Sequence, residues 1–171
     1  MRESPRENPA QRIIVGVLHD IRSLHNVGSM FRTADAGGVQ HLYLTGYTPS
    51  PIDRFGRKRK EIAKTALGGE RSVPWSSHED LSALISMLRK DGYQIVMCEC
   101  GTSNAVAYDR VLYAKKVALV MGNEVEGLSR DVLAMADVVA EIPLFGTKES
   151  LNVSVAFGIA LYGGFLSTRG K

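Results

Sequence analysis

What this chain of 171 residues has little of narrows its class first. It has two cysteines, Cys98 and Cys100, separated by one residue in a strand-like run. Two thiols cannot build a disulfide framework or complete a four-ligand zinc site, so reduced core residues of a cytoplasmic protein are expected, with no metal. Although 44% of the residues are hydrophobic, no apolar run approaches the ~20 residues of a membrane span, and no membrane partner is expected. Met1 to Ala10 mix charges with Pro5 and Pro9 and lack the apolar centre of a signal peptide. A flexible tail over residues 1–11 and a single domain over 12–171 are therefore expected. The net charge of +3 is too small to identify a nucleic-acid binder by itself. Two nucleotide signatures are missing as well. G-x-G-x-x-G does not occur. The loop Gly122 to Gly127 has P-loop spacing but carries Leu128 in place of the phosphate-binding lysine, and Glu124 and Glu126 would repel a polyanion. That loop should take a neutral or cationic ligand, which argues against a nucleotide-phosphate enzyme.

What is present is a repeated alternation of strand and helix. Arg12 to Leu18 reads as a first strand, and a helix follows with Asn26 as a candidate N-cap, ending at Gly37-Gly38. On a helical wheel Val27, Met30, Phe31 and Ala34 share one stripe, with Gly28, Ser29 and Arg32 opposite. Arg32 leans over Gly28 and Ser29, whose small size would leave room for a ligand such as a phosphate near the positive helix end. An ordinary surface arginine is the alternative. Val39 to Leu44 is a second strand, Lys58 to Leu67 a short helix, and Arg71 to Trp75 is ambiguous. Ser77, with Asp80 three residues on, should cap a helix carrying Leu81, Leu84, Ile85 and Leu88 at i, i+3, i+4, i+7. Tyr93 to Glu99, Val117 to Met121 and Val138 to Ile142 complete the strands. Val117 to Met121 is apolar without alternation, as in a central parallel strand covered on both faces. Ser129 can cap a short helix. Leu151 to Leu166 is apolar almost all round and should be buried in the core or between subunits, with Gly158, Gly163 and Gly164 marking close packing or an early break. The fold class is α/β, a largely parallel sheet with helices on both faces. Arg54, Arg57, Lys58, Arg59, Lys60 and Lys64 place six cations in eleven positions, either a solvated loop or an RNA-phosphate surface.

Three segments carry a resemblance. Asn26-Val-Gly-Ser-Met-Phe-Arg32, Gly122-Asn-Glu-Val-Glu-Gly-Leu-Ser129 and Ile142-Pro-Leu-Phe-Gly-Thr-Lys-Glu-Ser-Leu-Asn-Val-Ser-Val-Ala156 closely resemble, in order, the three motifs of the SpoU/TrmH branch of SPOUT RNA methyltransferases. The resemblance spans about residues 12–166. It implies a deep C-terminal trefoil knot threaded by residues 146–151, S-adenosyl-L-methionine as methyl donor, a homodimer, and methylation of a ribose 2′-hydroxyl in tRNA or rRNA. A knotted RNA-binding protein without transfer activity is the alternative. Several ribosomal members carry an extra N-terminal RNA-binding domain, so a tail of about ten residues tilts the expectation toward tRNA.

By that resemblance, backbone groups of Gly122, Ile142 and Leu151 hold the cofactor, with Thr102 as a weaker match in the loop Gly101 to Asn104. Arg32 is the family's catalytic position, acting as a base or through an RNA phosphate. A guanidinium with pKa above ~12 is almost never neutral, so orienting a phosphate is the easier role. Glu124 belongs near the reaction centre or holds a loop, and a simple helix-dipole role fits its sequence equally. Asn26, Ser150 and Asn152 match polar positions that orient the hydroxyl, the phosphate or the knot loop. Asn26 and Ser150 would also serve as N-caps. Arg57, Lys58, Arg59 and Lys60 are the RNA-binding candidates.

Overall fold

A computed structural model describes residues 12–166 of the chain and the side chains of residues 12–163. The tail expected over residues 1–11 lies outside the described residues. Seven strands form one sheet in the order β3-β2-β1-β6-β4-β7-β5. They are β1 (Ile13–His19), β2 (His41–Thr45), β3 (Trp75–His78), β4 (Gln94–Cys98), β5 (Val106–Ala107), β6 (Lys116–Met121) and β7 (Val138–Glu141). Every pairing between them is parallel. The helices are α1 (Leu24–Gly37), α2 (Lys60–Ala66), α3 (Gly69–Ser72), α4 (Leu81–Lys90), α5 (Arg130–Leu133) and α6 (Val153–Leu166).

The alternation of side chains along each strand divides the core in two. Ile14 and Leu18 of β1 and Val117, Leu119 and Met121 of β6 face α1 and α6, where Val27, Met30, Phe31, Phe157 and Leu161 cover them. Val15, Val17, Ala118 and Val120 face the other way, against Leu81, Leu84, Ile85 and Leu88 of α4. All five residues of Val117 to Met121 are buried, because β6 is central and both of its faces are covered. Each large apolar side chain so buried contributes roughly 1.5–3 kcal/mol of transfer free energy.

Several local expectations are corrected. Ser23, not Asn26, caps α1: its hydroxyl accepts from the Asn26 N–H, and Gly38 closes the helix in the left-handed conformation. Asn26 sits inside the first turn, where its amide is free for other partners. Ser77 lies in β3, and Asp80 caps α4 by accepting from the Ala83 N–H. Asn152, not Ser150, caps α6, its Oδ1 accepting from the Ser154 N–H at 2.9 Å. The ambiguous stretch after Arg71 ends α3 and enters β3 at Trp75.

Gly28 leaves no ligand space. A Cβ there would run into the Ile62 carbonyl and the Thr65 hydroxyl of α2, so the glycine is what lets α1 and α2 touch backbone to backbone. Gly69 of α3 approaches the Phe31 carbonyl in the same way. Gly163 sits against the Tyr108 ring, and α6 runs unbroken through the glycines. At Gly163 close packing is therefore the compensation.

Candidate functional site

The carboxyl ends of parallel strands are where ligands bind in open α/β sheets, because loops and helix starts converge there. Here the ends of β4, β6 and β7 surround a cleft of about 290 Å³. Gly122, Asn123 and Glu124 follow β6, Ile142 and Leu144 follow β7, and Cys98, Glu99 and Cys100 end β4. The loop before α6 completes the wall with Glu149, Ser150 and Leu151. Two segments far apart in sequence thus meet because their strands flank β4 on either side.

The loop after β6 is held by its own side chains. Asn123 is buried; its Oδ1 accepts from the Val125 and Glu126 N–H groups at 2.7 and 2.8 Å, an Asx turn. Its Nδ2 donates to the Asp20 carbonyl and to the Tyr47 hydroxyl, tying together the loops after β1, β2 and β6. Gly122 takes no side chain, since a Cβ would meet Leu128 at 2.7 Å as the loop folds back. From β4, Glu99 accepts from the Leu128 N–H at 2.7 Å and from its neighbour Cys100 at 3.0 Å.

Glu124 connects the loop after β6 to α1. Its carboxylate accepts from the Arg22 N–H at 2.9 Å, the Ser23 N–H at 3.0 Å and the Asn26 Nδ2 at 2.9 Å. Burial pushes its pKa up, but these donors, led by the Arg22 N–H and the Asn26 amide, more than offset that and hold it below the ordinary carboxylate range. The Asn26 Oδ1 in turn accepts from the Asn152 Nδ2 at 3.1 Å. A polar chain from Glu124 through Asn26 to Asn152 therefore links all three sequence motifs.

Of the expected cofactor residues, Gly122, Ile142 and Leu151 line the cleft, as do Glu124 and Ser150. Thr102 does not; its hydroxyl is buried without a hydrogen-bond partner. Arg32 also lies off the cleft. It is exposed on α1, and none of the ion pairs among the described residues includes it. Cys100 is not a core thiol: it is exposed and, with Cys98, lines the cleft. Burial foremost, then the Glu99 carboxylate, pushes the Cys98 thiol up to about 12, so it is inert. Glu99, Asn123 and Glu149 were not anticipated. The signal available for Glu99 was its place at the carboxyl end of a strand.

The cleft contains four carboxylates, Glu99, Glu124, Glu126 and Glu149, and among the described residues no lysine, arginine or histidine lines it. Met121, Ile142, Leu144, Leu151, Val153 and Ala156 supply an apolar wall. Such a site suits a cationic ligand with a flat apolar part and disfavours a polyphosphate. Among the described residues no group of three or more His, Cys, Asp or Glu is placed to hold a metal ion.

The basic segment forms a hairpin and the start of α2. Ile52 pairs antiparallel with Lys58, and Arg57 is held in an ion pair with Asp53 at 2.9 Å. Lys58 and Lys60 are exposed, while Arg59 precedes α2 and its Nε is buried without a hydrogen-bond partner. The hairpin cations and Arg32 thus lie outside the cleft lining.

Comparison with known proteins agrees with this layout. A tRNA (guanosine(18)-2′-O)-methyltransferase of Escherichia coli K12 is 30% identical over 145 residues, covering 85% of this chain and 59% of the relative. A 23S rRNA (guanosine-2′-O-)-methyltransferase, RlmB, of Coxiella burnetii strain RSA 493 is 34% identical over 157 residues, covering 92% of this chain and 58% of the relative. The chain therefore spans a little under three fifths of the length of these curated relatives. A crystal structure of an AdoMet-bound rRNA methyltransferase from Sinorhizobium meliloti superposes with a TM-score of 0.76 at 29% identity, over 93% of this chain and 60% of that one. Since the profile of the SpoU rRNA Methylase family matches residues 13–162, which hold the whole sheet, the cleft and the Glu124–Asn26–Asn152 chain, this chain belongs to that family.

Proposed function

We propose that residues 12–171 form one methyltransferase domain that binds S-adenosyl-L-methionine in the cleft and methylates a ribose 2′-hydroxyl of structured RNA. The observation that carries the reading is the charge of the cleft: four carboxylates, no cation among the described residues, and an apolar wall. When bound, the cofactor supplies an electrophilic methyl group on a positively charged sulfur. The backbone of Gly122, Ile142 and Leu151 offers donors and acceptors for its polar groups, and the apolar side chains sandwich its base.

The chain's own residues then divide the work. Glu124 is ionised at neutral pH but committed to three donors, so it positions the start of α1 and the Asn26 amide and is a poor proton acceptor. Asn26 and Asn152 fix each other beside Glu124, and Ser150 presents its hydroxyl to the cleft. Arg32, permanently charged and unpaired among the described residues, orients an RNA phosphate and stabilises charge near the attacking oxygen. Lys58, Lys60 and the other hairpin cations attract the RNA backbone.

Relatives named for both tRNA and rRNA support RNA as the partner. The exposed apolar side chains of α6 support a homodimer, and an enzyme of this kind acts in the cytoplasm. No helix among the described residues is long and apolar enough to cross a membrane.

Thermal unfolding with and without ligand tests the cofactor reading. At ~100 times its dissociation constant a ligand that binds only the folded chain adds about 2.7 kcal/mol, a shift of several degrees. S-adenosylmethionine should produce that shift, and ATP and NAD at equal concentration should not. Equal shifts from all three would contradict it.

A further inference from the structure

The hairpin carries a feature that charge attraction does not require. Phe55, at its tip, is 64% exposed, a large aromatic ring held in water. It is held rigidly: the Asp53 carboxylate accepts from the Phe55 and Arg57 N–H groups, each at 2.9 Å, and from the Arg57 Nε, while the Gly56 N–H donates to the Asp53 carbonyl. These contacts, first the Arg57 N–H, keep the Asp53 carboxyl below its ordinary range. The Arg54 and Arg57 guanidinium carbons lie over the ring at 4.8 and 5.0 Å from its centre. The result is an exposed aromatic ring with two guanidinium groups in cation–π range of it and more than half of its surface still in solvent.

A ring buried in a core needs no cations, and a phosphate surface needs no ring. An exposed aromatic ring flanked by two guanidinium groups matches an unstacked nucleic-acid base, whose flat face can lie on the ring while its phosphate meets the cations. A paired base inside a duplex offers no free face. The position agrees: the hairpin leaves from the carboxyl end of β2, on the same edge of the sheet as the cleft, and Tyr47 at its root hydrogen-bonds Asn123 in the cleft wall at 2.6 Å.

We propose that Phe55, with Arg54 and Arg57, is a base-stacking platform that captures one unpaired nucleotide of the RNA, so that the substrate is a loop or other single-stranded segment and not a continuous duplex. This rests on the reading of the protein as an RNA methyltransferase and specifies its substrate class. A second copy of the chain packed on Phe55 is the competing occupant.

The test uses the full chain and two probes, an unstructured twelve-nucleotide RNA and a blunt duplex containing the same strand. Binding of both is measured for the wild type, Phe55→Ala and Phe55→Trp across a salt series. Phe55→Ala should weaken single-strand binding about five- to hundredfold, as expected for one lost stacking contact, with an unchanged salt slope. Duplex binding should change less than twofold, and Phe55→Trp should bind the single strand as well as the wild type. Melting temperature and solution mass should match the wild type in both variants. An equal loss on both probes, no loss on either, or a change of solution mass in Phe55→Ala overturns the proposal. Because the thermal shift by S-adenosylmethionine is read on the same proteins, loss of the platform idea leaves the methyltransferase reading intact, whereas absence of that shift in the wild type sinks the latter.

Discussion

Glu124 shows how one side chain serves a site without reacting in it. It closes the start of α1 through two backbone donors and sets the amide of Asn26 through a third. Hydrogen bonds to a charged acceptor are worth roughly 1.5–3 kcal/mol each when shielded, so for this half-exposed group Glu124→Gln should lower stability by about 1–2 kcal/mol at pH 7. The sign of the pH dependence follows from the depressed pKa. A carboxyl lowered in the folded state contributes stability that is full above its unfolded value, about 4.3, and is lost as pH falls through the folded value. Denaturant titrations should therefore find wild type and Glu124→Gln different at pH 7 and converging below about pH 4. A gap that persists undiminished in acid would show that the carboxylate's charge is not its source. Arg32 makes the opposite case, a charge held in reserve. Because it lies off the cleft, Arg32→Ala should leave S-adenosylmethionine binding unchanged while reducing single-turnover methyl transfer on saturated RNA by about 100- to 1000-fold. A normal rate there would remove it from the catalytic residues.

Among the elements, α6 shows what apolar composition can and cannot convey. Val153, Phe157, Ala160 and Leu161 pack into the core, yet Val155 and Tyr162, two turns apart on the other side, are 50% and 43% exposed. A helix apolar all round with one exposed flank suits a twofold pair in which the same flank meets its symmetry mate. Light scattering at micromolar concentration should give about twice the mass of one chain, and replacing Val155 and Tyr162 by charged residues should halve it. A wild-type chain that stays monomeric and active would contradict the dimer. Legibility differed among the elements for physical reasons. The spacing of Leu81, Leu84, Ile85 and Leu88 marked α4, and the unbroken apolar run of β6 marked a central strand. Trp75 to His78 was unreadable as a strand because β3 is an edge strand whose short polar sequence has no alternation to display. Gly28 was misread because a glycine opposite an apolar stripe looks like open space, whereas here it admits the backbone of another helix.

For the molecule as a whole, the three motifs marked the site because their side chains are tied to one another by hydrogen bonds that tolerate few substitutes. Glu99 belongs to no motif; it reaches the cleft because β4 lies between β6 and β7, whose loops carry the motif residues. The arrangement concentrates negative charge where a sulfonium would sit and positive charge on the hairpin, with the single cation Arg32 on α1, where RNA would lie. A sulfonium held in that cleft beside RNA should pass its methyl group to a ribose oxygen, and isotope transfer measures that step. The chain is incubated with S-adenosylmethionine labelled in its methyl group and with total RNA, and the RNA is then hydrolysed in alkali. A 2′-O-methyl group removes the hydroxyl that alkaline cleavage needs, so the label should appear in alkali-resistant dinucleotides; label confined to mononucleotides, or no label while S-adenosylmethionine still binds, would rule out ribose methylation by this chain.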